Sequence, residues 1–121
     1  MPKALGEFEQ LLLFAILRLG AGAYGMAIRQ EIAQKTGKDV SAGAVYTGLD
    51  RLQAHGFVTS QEAESAPSRG GRRRKYYRLE AEGAAALEQT YRNIHRMAEG
   101  VLGQLAEVAG TSAPPVVDGA K

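Results

Sequence analysis

Apolar residues recur at steps of three and four along the first half of the chain, which is the period of an amphipathic helix. They predict three helices, at 7–19, 24–36 and 41–55. The first helix is apolar on nearly all sides, because Leu13, Phe14 and Leu17 lie opposite its main stripe. Such a helix must be covered on two faces. We predict that another subunit supplies the second cover, and enclosure within the same domain is the alternative.

The period changes from helical to extended after the third helix. The segment 57–79 begins with a β-type run, passes through a loop rich in Gly, Ser and Pro, and returns as a strand. Tyr77 and Leu79 share one face of that strand and are predicted to anchor it in the core. Three helices followed by a hairpin is the order of a winged helix-turn-helix. An ordinary three-helix bundle with a solvated third helix is the alternative for the helical part.

The outer face of the third helix carries little side-chain bulk near its N-terminus. Ser41 is the predicted N-cap, and Gly43, Ala44 and Thr47 follow on the exposed side, with Arg51 further along. Small residues let a partner approach the backbone closely, and the free N–H groups and partial positive charge of a helix N-terminus favour phosphate. This face is therefore a candidate for docking on nucleic acid.

The segment 81–109 has apolar residues in alternating steps of four and three, which is the pattern of a coiled-coil seam. It predicts one long C-terminal helix that pairs with its copy in a dimer, and folding back onto the first helix is the alternative. Residues 110–121 have the composition of a disordered tail. The residues predicted to form the dimer contact are Phe14, Leu87, Tyr91, Ile94, Ala98, Val101, Leu105 and Val108.

Charge changes the interpretation at one place only. The formal net charge is +2, yet six of the fifteen Lys and Arg residues lie between Arg69 and Arg78, with no acidic residue among them. Such a run needs a polyanion or simple solvation to be tolerated. Alone it fits a basic binding arm and a solvated loop equally well. Placed after a helix-turn-helix, it is predicted to be the wing.

Other function classes find little support in the sequence. There is no Cys, and neither His55 nor His95 lies in a catalytic or metal-binding motif, so we expect no enzyme, no metal and no cofactor. The stretch Gly20–Gly25 satisfies G-x-G-x-x-G, but a helical segment precedes it and no βαβ unit follows, so a dinucleotide site is not predicted. Without a long apolar run or an export signal, we expect a cytoplasmic protein with no membrane contact.

Three segments carry a family resemblance. They are Tyr24-Gly25, which opens the second helix, VSAGAVYTGLDRLQAHGFV over 40–58, and GGRRRKYYRLEAEG over 70–83. Together they resemble the PadR family of transcriptional regulators over most of the chain, from about Leu11 to Leu105. Glu80 departs from the pattern, since the family commonly has Thr or Ser there as a helix N-cap. The short C-terminus is similar to that of the compact members, which have a single dimerisation helix.

The resemblance implies a mainly α fold with a small β-hairpin, in which a winged helix-turn-helix domain (1–80) precedes a C-terminal dimerisation helix. It further implies a homodimeric repressor that binds a pseudo-palindromic operator in double-stranded DNA. The implied DNA-binding residues are Tyr24 and Gly25 at the backbone, Ser41, Ala42, Gly43, Tyr46, Thr47 and Arg51 on the recognition helix, and Arg72, Arg73, Arg74 and Lys75 in the wing.

Two alternatives belong to other classes. A winged helix can be a protein-interaction module whose basic hairpin docks on an acidic partner, but its helix would then more often present large anchors than small residues. A regulator can also sense an unidentified small-molecule effector in a cleft between subunits. Phe8, Phe14 and Tyr91 are the aromatic candidates for such a cleft, although ordinary packing is the favoured role for them.

Overall fold

A computed structural model describes residues 5–64 and 73–112 of the chain. It confirms the predicted fold class, since the described residues are mainly helical with one two-stranded antiparallel hairpin. The sheet is formed by β1 and β2, in a register that pairs Val58 with Leu79 and Gln61 with Tyr76. The elements, in chain order, are α1 (Glu7–Leu19), α2 (Gly25–Thr36), α3 (Ala42–Ala54), β1 (Val58–Glu64), β2 (Arg73–Leu79), α4 (Ala81–Ala98) and α5 (Leu102–Ala109).

The core lies where the first three helices and the hairpin meet. Full burial of a Val, Leu or Ile side chain contributes about 1.5–3 kcal/mol, so a small set of such residues dominates the stability of the domain. Tyr77 joins this core from β2 with 3% of its surface exposed, which confirms its predicted structural role. The largest fully buried side chains are Leu12, Leu13, Ile28, Val45, Leu49, Leu52 and Val58.

Helix α1 finds most of its cover within its own chain. Leu13, on the side assigned to another subunit, is fully buried, and Phe14 packs partly buried against the core. The reason is that α1 contacts β2 in addition to α2 and α3. Leu17 is 59% exposed and is the part of that side that remains open.

Glycine residues and Arg29 determine the connections between the first three helices. A short 3-10 helix, Gly20–Gly22, joins α1 to α2, so the glycine-rich stretch is a helix–helix turn, as predicted. Gly37 ends α2 at φ 76°, in the left-handed region that favours glycine. Arg29 then donates from Nε to the Val40 carbonyl at 2.6 Å and lies 3.6 Å from Asp39, which fixes the turn into α3.

Helix α4 begins against the backbone of the residue that precedes β1. A Cβ on Gly83 would overlap the carbonyl oxygen of Phe57, and that oxygen accepts the Glu80 N–H at 2.9 Å. Glu80 itself, the departure noted at the start of this helix, accepts from the Thr59 hydroxyl at 2.8 Å and lies 3.6 Å from Arg78. Glycine at position 83 is therefore a requirement of close packing.

The predicted single helix over 81–109 needs correction. The structure has two helices, because α4 ends at Ala98 and α5 begins only at Leu102. Gly100 lies between them at φ 83°, a conformation that an α-helix does not contain. The chain divides into two compact units within α4, one ending at Glu88 and the other beginning at Gln89.

One further residue of the C-terminal segment differs from the prediction. Leu87, predicted to contact a second subunit, is 4% exposed and belongs to the core of the first unit, because its helix packs there. Gly110 caps α5 at φ 74°, and the predicted tail beyond residue 112 lies outside the described residues. No helix in the described ranges is long and apolar enough to cross a membrane.

Candidate nucleic-acid interface

The N-terminus of α3 is capped as the sequence predicts. Ser41 has an extended backbone, and its Oγ accepts the N–H of Ala44 at 3.0 Å. A serine cap satisfies one of the first free N–H groups of a helix and leaves others open to an acceptor outside it. Gly43 and Ala44 are exposed beside the cap, so an anion can approach this helix end without a steric obstacle.

The exposed face of α3 continues with polar and small residues. Thr47, Asp50 and Arg51 are exposed, while Ala42 is half-buried, and Val45, Leu49 and Leu52 face the core on the opposite side. A helix that is buried on one side and low in relief on the other can enter a DNA groove as a rigid body. The predicted contact residues of the recognition helix thus lie on one accessible face, with the exception of the half-buried Ala42.

Tyr46 lies at the border of this face and packs against the start of α2. It is 43% exposed, and its ring occupies the space that a side chain on Gly25 would need. Gly25 is itself buried. Gly25 therefore has a packing role within the chain, because its missing side chain leaves room for the Tyr46 ring. The sequence pattern did not reveal this role.

The hairpin presents its basic residues on two faces of β2. Arg73 and Lys75 are exposed and share the face that ends in the buried Tyr77, whereas Arg74 is half-buried on the other face. The register places Lys75 opposite Glu62, and Arg74 opposite Ala63. Arg72, the remaining predicted wing contact, lies outside the described residues.

Arg74 is held on a pair of tyrosines. Its Cζ lies 3.9 Å from the centroid of the Tyr24 ring, within the range of a cation–π contact. Tyr24 in turn meets Tyr76 edge to face, with 5.6 Å between ring centroids and an interplanar angle of 68°. Hydrogen bonding to the phenol of Tyr76, and then to that of Tyr24, raises the pKa of Arg74 above its ordinary value. We call this group, Tyr24, Arg74 and Tyr76, the tyrosine–arginine clamp.

Backbone hydrogen bonds reinforce the same junction. Tyr24 and Tyr76 form an isolated antiparallel bridge, and the Tyr77 N–H donates to the Ala23 carbonyl at 2.8 Å. Residues 23–24 therefore extend the edge of β2 just before α2 begins. The hairpin is attached to the helix-turn-helix at this point through backbone and side chains together.

Tyr77 points from the same strand into the core. Desolvation raises its pKa to about 12, with smaller contributions from the negative charges that Asp50 and Tyr46 can carry. The phenol thus stays neutral well above the pH at which an exposed tyrosine ionises. Because Asp50 and Tyr46 belong to α3, Tyr77 lies where the base of the hairpin meets that helix.

The aromatic residues considered for a ligand cleft are used for packing in two cases. Phe8 and Phe14 pack partly buried against the core, and the Phe8 ring lies beside Gly48 of α3. Tyr91 is 46% exposed in the second unit. Among the residues that the structure describes, no group of three or more His, Asp or Glu side chains is arranged to hold a metal ion.

The predicted dimer contacts are mostly apolar side chains on the surface of the second unit. Ile94 and Leu105 are each 61% exposed, Val101 is 42% exposed and Val108 is 88% exposed, while Ala98 is half-buried. Met97, at 80% exposed, was absent from the prediction. It lies outside the four-and-three spacing, which is why the pattern did not select it.

Fold and site together define a winged-helix protein with a low-relief third helix and a basic hairpin. Comparison with known proteins agrees: residues 13–89 match the transcriptional regulator PadR-like family. The chain is also 34% identical, over 87 residues, to Transcriptional regulator Rv3488 of Mycobacterium tuberculosis, covering 72% of this chain and 77% of that protein. The chain therefore belongs to the PadR-like family of transcriptional regulators, a family that is in general non-enzymatic.

Solved structures show the same relationship. A PadR family transcription regulator from Clostridium difficile R20291 is 28% identical at a TM-score of 0.63, covering 81% of this chain and 97% of that one. A PadR family regulator from Eggerthella lenta is 30% identical at a TM-score of 0.60, covering 84% and 87% respectively. The winged-helix DNA-binding protein F93 from STIV is 19% identical at a TM-score of 0.64, covering 81% and 98%, a likeness of fold alone.

Proposed function

We propose that this chain binds an operator in double-stranded DNA as a homodimer and represses its own or a neighbouring promoter. The exposed, small-residue face at the N-terminus of α3 is the observation that carries the proposal. It offers the close approach and the free N–H groups that a major-groove helix needs, and no large apolar anchor that would favour a protein partner. Repression follows from the family resemblance.

In this proposal the hairpin supplies affinity and α3 supplies sequence reading. Arg73 and Lys75 are exposed on β2, where they can neutralise phosphates on either side of the groove. Thr47 and Arg51 are the polar residues of α3 that can reach base edges. Because Tyr46 packs on Gly25 beside the junction with β2, helix and hairpin would approach the duplex together.

The apolar surface of the second unit supports the dimer. Ile94, Val101, Leu105 and Val108 expose between 42% and 88% of their surface within a short stretch of chain. Exposed apolar side chains in such number are typical of an interaction site. A two-fold copy is the simplest partner, since a dimer would present two recognition helices to the two halves of a pseudo-palindrome.

DNA binding is tested by fluorescence anisotropy against a mixed-sequence duplex over about 50–200 mM salt. We expect the logarithm of the affinity to fall linearly with the logarithm of the salt concentration, and Arg73→Ala to reduce that slope by about 0.9 for its lost phosphate contact. Arg96→Ala, an exposed arginine of α4 outside the hairpin, is the charge-matched control and should leave the slope unchanged. An unaltered slope in Arg73→Ala would contradict the wing assignment.

The dimer is tested by sedimentation equilibrium. The double variant Ile94→Asp with Val101→Asp should be monomeric, because each substitution places a charge on the exposed apolar surface. Asn93→Asp with Gln104→Asp adds the same two charges at exposed polar positions of the same unit and should remain dimeric. A dimer in the first variant would show that this surface is not the interface.

Repression is tested on the DNA upstream of the gene for this chain and of its neighbours. Footprinting should locate a protected site with two related halves, one or two helical turns apart. Transcription in vitro from that promoter should fall when wild-type protein is added, and should not fall with the monomeric double variant. Increased transcription would instead indicate an activator.

A further inference from the structure

The wing carries several basic residues of the same kind, but the structure separates one of them from the rest. We infer that Arg74 is a positioning residue, which fixes the wing to the start of α2 through Tyr24 and Tyr76, whereas Arg73 and Lys75 are the residues that meet phosphate. This inference rests on the proposed DNA binding and assigns different tasks to residues that the sequence groups together.

The first argument is geometric. Arg74 and Tyr76 lie on the same face of β2, two residues apart, and Tyr24 faces them from the end of the 3-10 turn. The Arg74 guanidinium covers the Tyr24 ring at 3.9 Å while the edge of one tyrosine meets the face of the other. A planar guanidinium is suited to stacking on an aromatic ring, and the ammonium of lysine is not.

The second argument is the contrast with the neighbouring basic residues. Arg73 and Lys75 are exposed on the other face of the strand, whereas Arg74 is half-buried against the clamp tyrosines. A guanidinium with one face covered by an aromatic ring has less open surface for a phosphate than an exposed one. Its charge is retained, but its orientation is determined by the protein.

The third argument is that the clamp joins the hairpin to the start of α2. A two-stranded hairpin is at best marginally stable alone, so its direction depends on its attachment. At the start of α2 the attachment consists of the Tyr24–Tyr76 bridge, the hydrogen bond from the Tyr77 N–H to the Ala23 carbonyl, and the clamp, which lies further towards the tip. Arg74 is the outermost of these contacts towards the tip, so it is placed to limit the swing of the hairpin relative to α2.

The test compares Arg74→Lys with Arg73→Ala on a mixed-sequence duplex of about three helical turns. Arg74→Lys keeps the charge and removes the stacking. We expect its salt slope to equal that of the wild type while its affinity falls by roughly twofold to fivefold, the fold-change that corresponds to an exposed cation–π contact. Arg73→Ala should instead lower the slope by about 0.9.

Substitutions of the ring separate positioning from a general structural role. Tyr24→Phe keeps the aromatic face and should leave the hydrogen exchange of the Tyr77 amide as in the wild type, whereas Tyr24→Leu should lose at least as much affinity as Arg74→Lys. The double variant Tyr24→Leu with Arg74→Lys should lose no more than Tyr24→Leu alone, because both changes remove one contact. Additive losses would overturn the inference.

Hydrogen exchange of the Tyr77 amide in the free protein gives a readout that does not need DNA. Its exchange should be faster in Arg74→Lys and unchanged in Arg73→Ala, because this N–H bonds Ala23 at the junction that the clamp holds. Wild-type affinity in Arg74→Lys, combined with a slope lowered by about 0.9 in Arg74→Ala, would overturn the inference and make Arg74 a phosphate ligand. If the wild type showed no salt-dependent binding, the proposed function would fail, and the exchange rates would still decide whether the clamp exists.

Discussion

Gly83→Ala is a sharp test of the packing at the start of α4, because the gain in helix propensity and the steric overlap change the free energy of unfolding in opposite directions. In an unconstrained helix, replacing glycine by alanine stabilises by about 0.5–1 kcal/mol. At Gly83 the added methyl group would overlap the carbonyl oxygen of Phe57 and lie 3.0 Å from Cδ1 of Leu79. The Leu79 side chain can rotate away, but the carbonyl belongs to the backbone.

The size of the effect follows from what the backbone would have to give up. Moving Phe57 would weaken the hydrogen bond from the Glu80 N–H, which is 2.9 Å long and contributes about 0.5–1.5 kcal/mol. Forcing a methyl group into a packed site costs a further 1–3 kcal/mol or so. After the helix-propensity gain is subtracted, we expect Gly83→Ala to lower the free energy of unfolding by about 1–3 kcal/mol.

Urea unfolding followed by circular dichroism measures this change, at one protein concentration because a dimer would make the midpoint concentration-dependent. Gly103→Ala is the matched control, since Gly103 lies in the first turn of α5 with no atom within 4 Å of the added Cβ. That variant should be unchanged or more stable by up to about 1 kcal/mol. If Gly83→Ala were as stable as the wild type, the close approach of α4 to Phe57 would be refuted.

Three further predictions concern the cap, the core and the buried tyrosine. Ser41→Ala should lower the free energy of unfolding by about 0.5–2 kcal/mol in urea, whereas Ser41→Asp should retain most of it because aspartate also caps. Leu12→Ala should cost about 2–5 kcal/mol, since Leu12 is fully buried, and a smaller loss would indicate a core that can collapse. The pKa of Tyr77 is about 10 in the unfolded chain and about 12 in the folded one, so folding favours the neutral phenol. The stability that the neutral phenol contributes is therefore complete below pH 10 and is lost as the pH rises through 12. In thermal melts between pH 10 and 12, the free energy of unfolding of Tyr77→Phe should fall less than that of the wild type.

Hydrophobic period and capping chemistry were sufficient to predict the winged helix. The bounds of α1 agree with the prediction, those of α2 and α3 differ by one residue at each altered end, and Ser41 caps α3 as expected. These features depend on residues close together in the chain, where a 3.6-residue period and a side-chain acceptor act directly on the backbone. Local information was enough for local structure.

The C-terminal helices show where a pattern misleads. The apolar spacing continues across Gly100, so it predicts one helix, yet the chain adopts φ 83° at that glycine and starts a new helix. Glycine already costs a helix interior about 1 kcal/mol relative to alanine, so breaking the helix there requires little. The spacing of the apolar side chains does not indicate whether the helix continues through Gly100 or ends before it. Leu87 fits the same spacing and is nevertheless a core residue.

The positioning role proposed for Arg74 could not be predicted from the sequence, because it depends on a long-range contact. The basic run and the paired tyrosines were recognised, but Tyr24 comes from a distant part of the chain and meets Arg74 only because of the register at the hairpin base. A one-residue shift of β2 would exchange the faces of Arg74 and Lys75. Long-range register is set by the buried face, here by Tyr77, and not by the charged residues themselves.

The start of α2 has a larger part in this fold than its own sequence suggests. Gly25 receives the Tyr46 ring from α3, and the adjacent Tyr24 receives Tyr76 and Arg74 from β2. Two neighbouring residues thus join the proposed recognition helix and the proposed wing to a single turn. Because a two-stranded hairpin has little stiffness of its own, this turn contributes to the relative geometry of α3 and the hairpin. We therefore propose that the Tyr-Gly pair positions both elements, while its direct contact with DNA stays a prediction.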